Sequence, residues 1–562
     1  MSGRTLREQP GPYAAAIDAN AQKLQSERFG PRIVAHDDGL WGDDPAHRKV
    51  AANRLGWLDV GRTIRPHAAG LKAFATEVAR DGFTHAVLLG MGGSSLAPEV
   101  FRNVFGVAPG ALELTVLDNT SPAAVEAVAA SHDLSRTLFV VASKSGGTIE
   151  VTSFEKFFWE RVSAVRGAET GAAFVAITDP GTSLEQLART RGYRRTFTNP
   201  PDIGGRYSAL SFFGLLPAAL IGVDVEALLD GTVPELEAVA AGGGDAARLG
   251  AALGTLSRAG RDKLTIVASP ALASVGVWIE QLVAESTGKS GRGVVPIAGE
   301  PLGAPATYGP DRVFVALGAP SLPEATERAL DLLAAAGHPV YRWVSPRLLD
   351  LGADLVRWEV ATAAASAVLE VDPFDEPNVS EAKAATQAVL QHVLAEGHFP
   401  ERTAAAAADG LQAFVPKGAP APGSTPEAWL DALLAQARPG DYVAVLAYVR
   451  RTDARDAALE TIRAAARSRK QLAGTLGYGP RFLHSTGQLH KGGAPNGVFL
   501  QITADEGELA IPGEPYGFGV LRAAQAAGDF EVLEKRGRRV MRVHLGSAPD
   551  AGLDRLARAA RS

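Results

Sequence analysis

Two short stretches hold residues whose types and spacing suit an anion. Gly90-Met91-Gly92-Gly93-Ser94-Ser95 follows an apolar run at 86–89 and leads into helical spacing from Leu96. A strand, a glycine turn and a helix start leave backbone N–H groups pointing outward along a favourable dipole. Ser143-Lys144-Ser145-Gly146-Gly147-Thr148 repeats the device after the apolar run at 138–142 and adds an ammonium. Hydroxyls, free N–H groups and a cation so close together suit a dianionic phosphate. Each stretch alone also reads as a tight turn or a helix cap. Two such cups on two strands of one sheet favour the ligand.

Other candidates stand singly. Arg206 follows two glycines in Asp202-Ile203-Gly204-Gly205-Arg206-Tyr207-Ser208, where backbone and guanidinium can both approach a ligand. Glu300 lies in Gly299-Glu300-Pro301, after the apolar run at 294–297. A glutamate there is a base if burial raises its pKa, and otherwise an exposed loop acid. Lys383 falls one turn into a helix opened by Asn378, with Glu381 as capping partner, a place where most lysines are surface charges. The dense histidine motif is Phe482-Leu483-His484-Ser485-Thr486-Gly487-Gln488-Leu489-His490-Lys491-Gly492-Gly493. Nucleotide motifs fit less well. In the first cup Ser95 stands where a dinucleotide turn needs its third glycine, although Asp118 is placed to hold a ribose. Gly288-Lys289-Ser290 has Val283 where a P-loop needs its leading glycine, and no magnesium-binding carboxylate cluster stands out.

These residues need a parallel sheet to position them. Strands are expected at 86–89, 112–117, 138–142 and 174–178, with helices at 96–105, 122–130, 148–165 and 183–190 between them. Apolar strands alternating with helices imply a sheet covered on both faces, with ligands beyond the strands' carboxyl ends. A second alternating block has strands at 264–268, 294–297, 313–317 and 340–343. Residues 1–80 show helical spacing only, with Leu71, Phe74 and Val78 on one face, and read as a helical cap. The division expected is 1–80 helical, 81–224 a first α/β domain, 225–400 a second, 401–425 a Pro/Gly/Ala linker and 426–562 a further α/β lobe.

Composition narrows the class. The 562 residues allow several cores, and 46% hydrophobic with 21% charged residues is ordinary for globular chains. A net charge of −6 gives no reason to expect a nucleic-acid partner. The absence of cysteine removes disulfides, thiolate chemistry and cysteine-ligated metals, which fits a cytoplasmic protein. No apolar run approaches the roughly 18 residues of a membrane span, so no membrane partner is expected.

Taken together, the motifs resemble the ordered signature set of the phosphoglucose isomerase family. They are Gly-Gly-Ser-Ser (92–95), Ser-Lys-Ser-Gly-Gly-Thr (143–148), Gly-Gly-Arg-Tyr-Ser (204–208), Glu-Ser-Thr-Gly-Lys (285–289), Gly-Glu-Pro (299–301) and Phe-Asp-Glu-Pro-Asn-Val-Ser-Glu-Ala-Lys (374–383). The likeness is strongest to the isomerase half of bacterial transaldolase–phosphoglucose isomerase fusions, without the transaldolase barrel. It implies two doubly wound sugar isomerase domains, glucose 6-phosphate and fructose 6-phosphate as substrates, a cis-enediol intermediate, no metal or organic cofactor, and a homodimer. By matching position Ser143, Lys144, Ser145 and Thr148 hold the phosphate, and Gly92, Gly93 and Ser94 line the sugar pocket. Glu300 moves the proton between C2 and C1, Arg206 stabilises the enediolate, and Lys383 assists ring opening.

Two departures from the family pattern matter. Many members carry Gln where Glu376 stands, so an additional carboxylate enters the sugar site. Members also use a histidine for ring opening in the region before the Phe-Asp block, and 349–369 has none here. Either the loop carrying His484 and His490 folds over the pocket and supplies it, or that loop is internal to its lobe. Rival readings are an enzyme that also isomerises mannose 6-phosphate, an NAD-dependent dehydrogenase, and a non-catalytic sugar-phosphate sensor. A sensor would keep the serine cups but has no need of Glu300, Arg206 and Lys383 together.

Overall fold

The structure, a computed structural model, describes residues 6–561. It is built on three sheets. The first strand, β1 (Leu6–Gln9), leaves the N-terminal region at once. It pairs antiparallel with a strand more than 300 residues away, through Leu6 opposite Trp343 and Gln9 opposite Val340. The expectation of an all-helical cap is corrected there, because a four-residue edge strand with three exposed side chains carries no alternation to read. The rest of the region is helical. Leu71, Phe74 and Val78 of the helix Ala68–Arg80 are buried as the spacing requires.

The first sheet contains β2 (His85–Gly90), β3 (Glu113–Leu117), β4 (Thr137–Ala142), β5 (Phe174–Thr178) and β6 (Arg195–Thr198), all parallel, in the order β3-β2-β4-β5-β6. Every residue of β4 and β5 is buried, as strands covered on both faces must be. The sheet reverses its winding between β2 and β4, so the crevice beyond Gly90 and Ala142 is its ligand position. Both cups lie there.

The second sheet contains β7 (Lys263–Ala268), β8 (Val295–Ile297), β9 (Arg312–Gly318) and β10 (Val340–Val344), in the order β1-β10-β9-β7-β8. The helix Leu351–Leu369 is buried along nearly its whole length, and one apolar core runs from the N-terminal helices through both sheets. It shows no amphipathic face because nearly every position is buried, Arg357 and Glu359 among them.

The third sheet adds β11 (Ala406–Ala408), β12 (Leu411–Phe414), β13 (Tyr442–Tyr448), β14 (Ala473–Tyr478), β15 (Gly497–Thr503) and β16 (Arg539–His544), in the order β11-β12-β16-β15-β13-β14. Strands β16, β15, β13 and β14 are parallel, and β12 joins β16 antiparallel. The stretch read as a linker is therefore corrected: 406–414 is a hairpin paired into this sheet, while 415–425 has no regular structure. Its alanines and glycine hid it, since β propensity is lowest for such residues. No helix of the described residues is long and apolar enough to cross a membrane.

This third lobe holds a buried ion pair within itself. Lys491 Nζ lies 2.7 Å from Asp529 Oδ1, and both side chains are 1% exposed. Breaking such a pair strands one charge and costs about 3–5 kcal/mol, whereas replacing both by apolar groups is often neutral. Asp529→Ala is accordingly expected to lower the thermal midpoint by several degrees and Lys491→Met/Asp529→Leu to recover most of it. Equal losses in the single and double variants, read by circular dichroism, would contradict this account.

Candidate active site

The site lies where the carboxyl ends of the first sheet meet the end of one second-sheet helix and a loop from the third. β4 delivers Ser143 to Thr148, and the helix Ile149–Arg166 starts immediately after them. Thr148 occupies the cap position without bonding the helix's first N–H groups, and its hydroxyl lies 3.1 Å from that of Ser143. A helix start whose N–H groups are not capped is an anion site. It opens into a cavity of about 380 Å³ lined by Ser145, Gly147, Thr148, Lys383 and His484. Lys383 projects from the helix Pro377–Glu396, which opens at Glu376 rather than at Asn378. The Asn378 N–H instead donates to Gln488 at 2.9 Å.

Lys144 turns elsewhere. Its ammonium pairs with Asp179 and donates to the Pro201 carbonyl at 2.9 Å, so its charge is spent on the neighbouring loops. The phosphate role expected of its side chain is not supported by this placement.

His484 comes from the third lobe, in the loop after β14. Its Nε2 lies 2.9 Å from Glu150 Oε1, which also accepts from Gln525 Nε2 at 2.7 Å. Burial opposes the Glu150 charge, but His484 outweighs it and holds this carboxyl below its usual range. An ionised carboxylate only accepts, so Nε2 carries the proton and Nδ1 is left as the exchangeable position. His490 is not part of the site. It is packed among Tyr442, Phe482 and Phe499 with neither ring nitrogen bonded, and burial followed by Lys491 and Arg538 holds its pKa far below the ordinary value.

Beside this cavity, Gln281 links His484 to a second cluster. Gln281 Nε2 donates to the His484 carbonyl at 2.8 Å and to Glu285 Oε2 at 3.3 Å. Glu285 is buried near the end of the helix Val275–Thr287, with Arg206 Nη1 3.6 Å away. Burial pushes its carboxyl up to about 7, with Glu376 adding to the shift and Arg206 opposing it. Arg206 is itself buried. Its Nε donates to Ser286 Oγ at 3.0 Å, its Nη2 to the carbonyls of Pro373 and Asp375, and its Nη1 to Glu376 Oε2 at 3.1 Å. Lys289 pairs with Asp375 at 2.8 Å, and burial lowers its pKa to about 8.

Gly92 lets the third lobe approach the first domain, and Gly93 lets the Gly204–Gly205 turn of its own domain approach it. Gly92 has φ +54°, and a Cβ there would stand 2.7 Å from the His484 carbonyl oxygen. A Cβ on Gly93 would stand 1.9 Å from the Gly205 oxygen. Ser94 is buried next to them, while Ser95 turns inward and donates to Asp118.

Glu300 stands apart from this cluster. Its carboxylate is held in a two-pronged pair by Arg312, at 2.9 and 3.1 Å, with Arg467 at 3.8 Å. The backbone before it accepts from Arg463 of the third lobe. A Cβ on Gly276 would touch Ala298 at 3.3 Å, so Glu300 neighbours the start of the helix whose far end bears Glu285. Nine residues of helix separate the two levels by about 13 Å. Glu285 and Glu150 are the buried acids of this cluster to which the sequence motifs gave no role. Gln281 and Glu285, four apart on an otherwise apolar helix, were the available signal for the first.

Doubly wound sheets with a cup-and-carboxylate site at their junction define an α/β protein of the sugar-isomerase type. A family model described as phosphoglucose isomerase matches residues 72–291. The glucose-6-phosphate isomerase of Rubrobacter xylanophilus is 30% identical over 424 residues, covering 66% of this chain and 95% of that protein. That of Synechococcus sp. strain JA-3-3Ab is 36% identical over 221 residues, 37% of this chain and 40% of its own. Among solved structures, a glucose-6-phosphate isomerase of Chlamydia trachomatis shares the fold with TM-score 0.56 at 20% identity, over 71% of this chain and 90% of that one. The chain belongs to the phosphoglucose isomerase family.

The seam at Gly92 yields a test. A left-handed alanine costs about 1–2 kcal/mol before any clash, and here its methyl also meets the loop that carries His484. Gly92→Ala is expected to raise amide exchange across 481–493 about tenfold or more with unchanged far-UV circular dichroism. Unaltered exchange there would show that the loop does not lean on this glycine.

Proposed function

We propose that the chain interconverts glucose 6-phosphate and fructose 6-phosphate, with Glu285 rather than Glu300 as the base. The observation that carries this is a buried carboxyl whose pKa of about 7 is matched to proton transfer at neutral pH, beside a buried guanidinium. A sensor that only binds its ligand has no use for such a group, which favours the enzyme.

The phosphate sits on Ser145, Gly147 and Thr148 at the helix start, with Ser143 supporting Thr148. Gly92, Gly93 and Ser94 wall the sugar. Lys383 and His484, the latter oriented by Glu150, exchange protons with the ring oxygen and O1 to open the ring. Glu285 then takes the proton from C2 and the C2–H electron pair moves into the enediolate. Arg206 stabilises the oxygen charge that develops, an effect worth about 10²–10³ in rate for one such donor. A proton passes from O2 to O1 and the same carboxyl returns its proton to C1, so that C2 becomes the carbonyl carbon and no external co-reactant is needed. Binding energy from the remote phosphate fixes the sugar for these transfers.

Glu285→Gln is expected to lower kcat on glucose 6-phosphate by about 10³-fold or more with KM little changed. Glu300→Gln should keep turnover within a few-fold of wild type while lowering thermal stability. The reverse outcome in a coupled assay would return the base to Glu300.

The acid limb of the pH profile follows the protonation of the base. Only the ionised base abstracts a proton, so kcat/KM should fall as pH drops through about 7. Glu376 raises that pKa, so Glu376→Gln should move the limb to lower pH. An unmoved limb would separate Glu376 from the titrating group.

A further inference from the structure

The third lobe has a ligand position of its own. Its winding reverses between β13 and β15, since β14 lies on one side of β13 while β15 and β16 lie on the other. In open parallel sheets ligands bind beyond the carboxyl ends at that reversal. A cavity of about 460 Å³ occupies this place, lined by Tyr448, Thr503 and His544, the last residues of β13, β15 and β16. Nothing in the isomerase site uses it.

Its buried wall is cationic and incompletely paired. Arg522, on the helix Phe518–Lys535, is 3% exposed. One guanidinium nitrogen reaches Asn119, but Nη2 has no hydrogen-bond partner, and Nε stands 3.4 Å from Glu506 without hydrogen-bond geometry. Arg542 from β16 donates to Gln501 at 2.6 Å and to the Ala526 carbonyl at 2.9 Å, both neutral. Among the described residues it forms no ion pair. Burial, followed by repulsion from Arg402, lowers its pKa to about 10.

Among the acidic groups around the cavity, Glu506 stands beside Arg522 and offsets part of its charge, and the others are committed or peripheral. Glu508 is taken up by the N–H groups of Gly519 and Val520, and Asp505 by His544. Glu401 and Glu531 lie on the exposed rim. Arg522 is buried with Nη2 unpaired, and the half-buried Arg542 has only neutral partners, so an incoming anion would complete both. Guanidinium groups match the planar geometry of carboxylate and phosphate oxygens.

We propose that this cavity binds a small organic oxyanion, a phosphorylated or polycarboxylate metabolite, held by Arg522 and Arg542. The site is separate from the isomerase centre and does not depend on the reading given to it. Gln525, one turn along the same helix from Arg522, is the residue that bonds Glu150.

Hydrogen exchange on the full chain tests the site by location. Inorganic phosphate and citrate, each titrated separately, are the probes. Saturable protection of 503–508 and 518–527 is expected with at least one of them, phosphate alone marking a phosphoryl ligand and citrate alone a carboxylate. Arg542→Gln should raise the half-saturating concentration about tenfold or more. Ala523→Glu puts a negative charge at the exposed edge of the cavity without removing any bond, and should do the same while leaving phosphate protection at 145–150 unchanged. Absence of saturable protection with both probes, or equal protection in wild type and both variants, would overturn the proposal.

Discussion

Much of this structure follows from burying the guanidinium of Arg206. An unpaired charge taken out of water costs several kcal/mol even after relaxation, so its donors must all find acceptors. They find Ser286 on a second-sheet helix, the carbonyls of Pro373 and Asp375, and the carboxylate of Glu376. The Gly204–Gly205 turn of the first domain is therefore drawn against the end of a helix from the second. That approach leaves no room on Gly93, whose missing Cβ would overlap the Gly205 oxygen. The Gly-Gly-Ser-Ser cup is thus required by packing as much as by any ligand.

The third lobe completes what the first two leave open. Gln488, fully buried, accepts from the Asn378 N–H and donates to the Asn378 side chain and the Gly288 carbonyl, tying its loop to both flanking segments. Gln525 donates to Glu150 and accepts from Thr120, so one helix of this lobe also supports the partner of His484. A histidine more than 300 residues from the cup is placed beside it by hydrogen bonds that leave few alternative seatings.

The strands and the two cups were legible in the sequence because buried parallel strands are apolar runs and glycine turns interrupt them visibly. The edge elements were not. β1 and the hairpin of β11 and β12 are short, exposed or alanine-rich, and only pairing partners far along the chain make them strands. Placing Glu300 in the site followed from the rule that ligands sit at carboxyl ends of strands, which holds for the first sheet. The second sheet contributes instead through the far end of the helix Val275–Thr287, which runs back toward the amino ends of its strands. A local motif cannot report which end of a helix faces the neighbouring domain. His484 and His490 are equivalent by type and spacing, and only the packing of His490 among three aromatic rings separates them.

The two carboxylates around Arg206 divide its charge unequally, and the division suits the chemistry. Glu376, half exposed, takes the closer position at 3.1 Å, while Glu285, buried, stands at 3.6 Å. At an effective dielectric near 20, a unit pair some 4 Å apart interacts by about 4 kcal/mol, so a tighter hold on Glu285 would lower its pKa and its basicity together. Held off by Glu376, it stays basic enough to accept a proton from a weak carbon acid. Once it does so it becomes neutral, and the negative charge reappears on the enediolate oxygen. The guanidinium that opposed the high pKa of Glu285 then loses one anionic neighbour as it gains another. In the proposed reaction the charge beside Arg206 is relocated rather than created, which is the condition for a fixed cation to act without reorganisation.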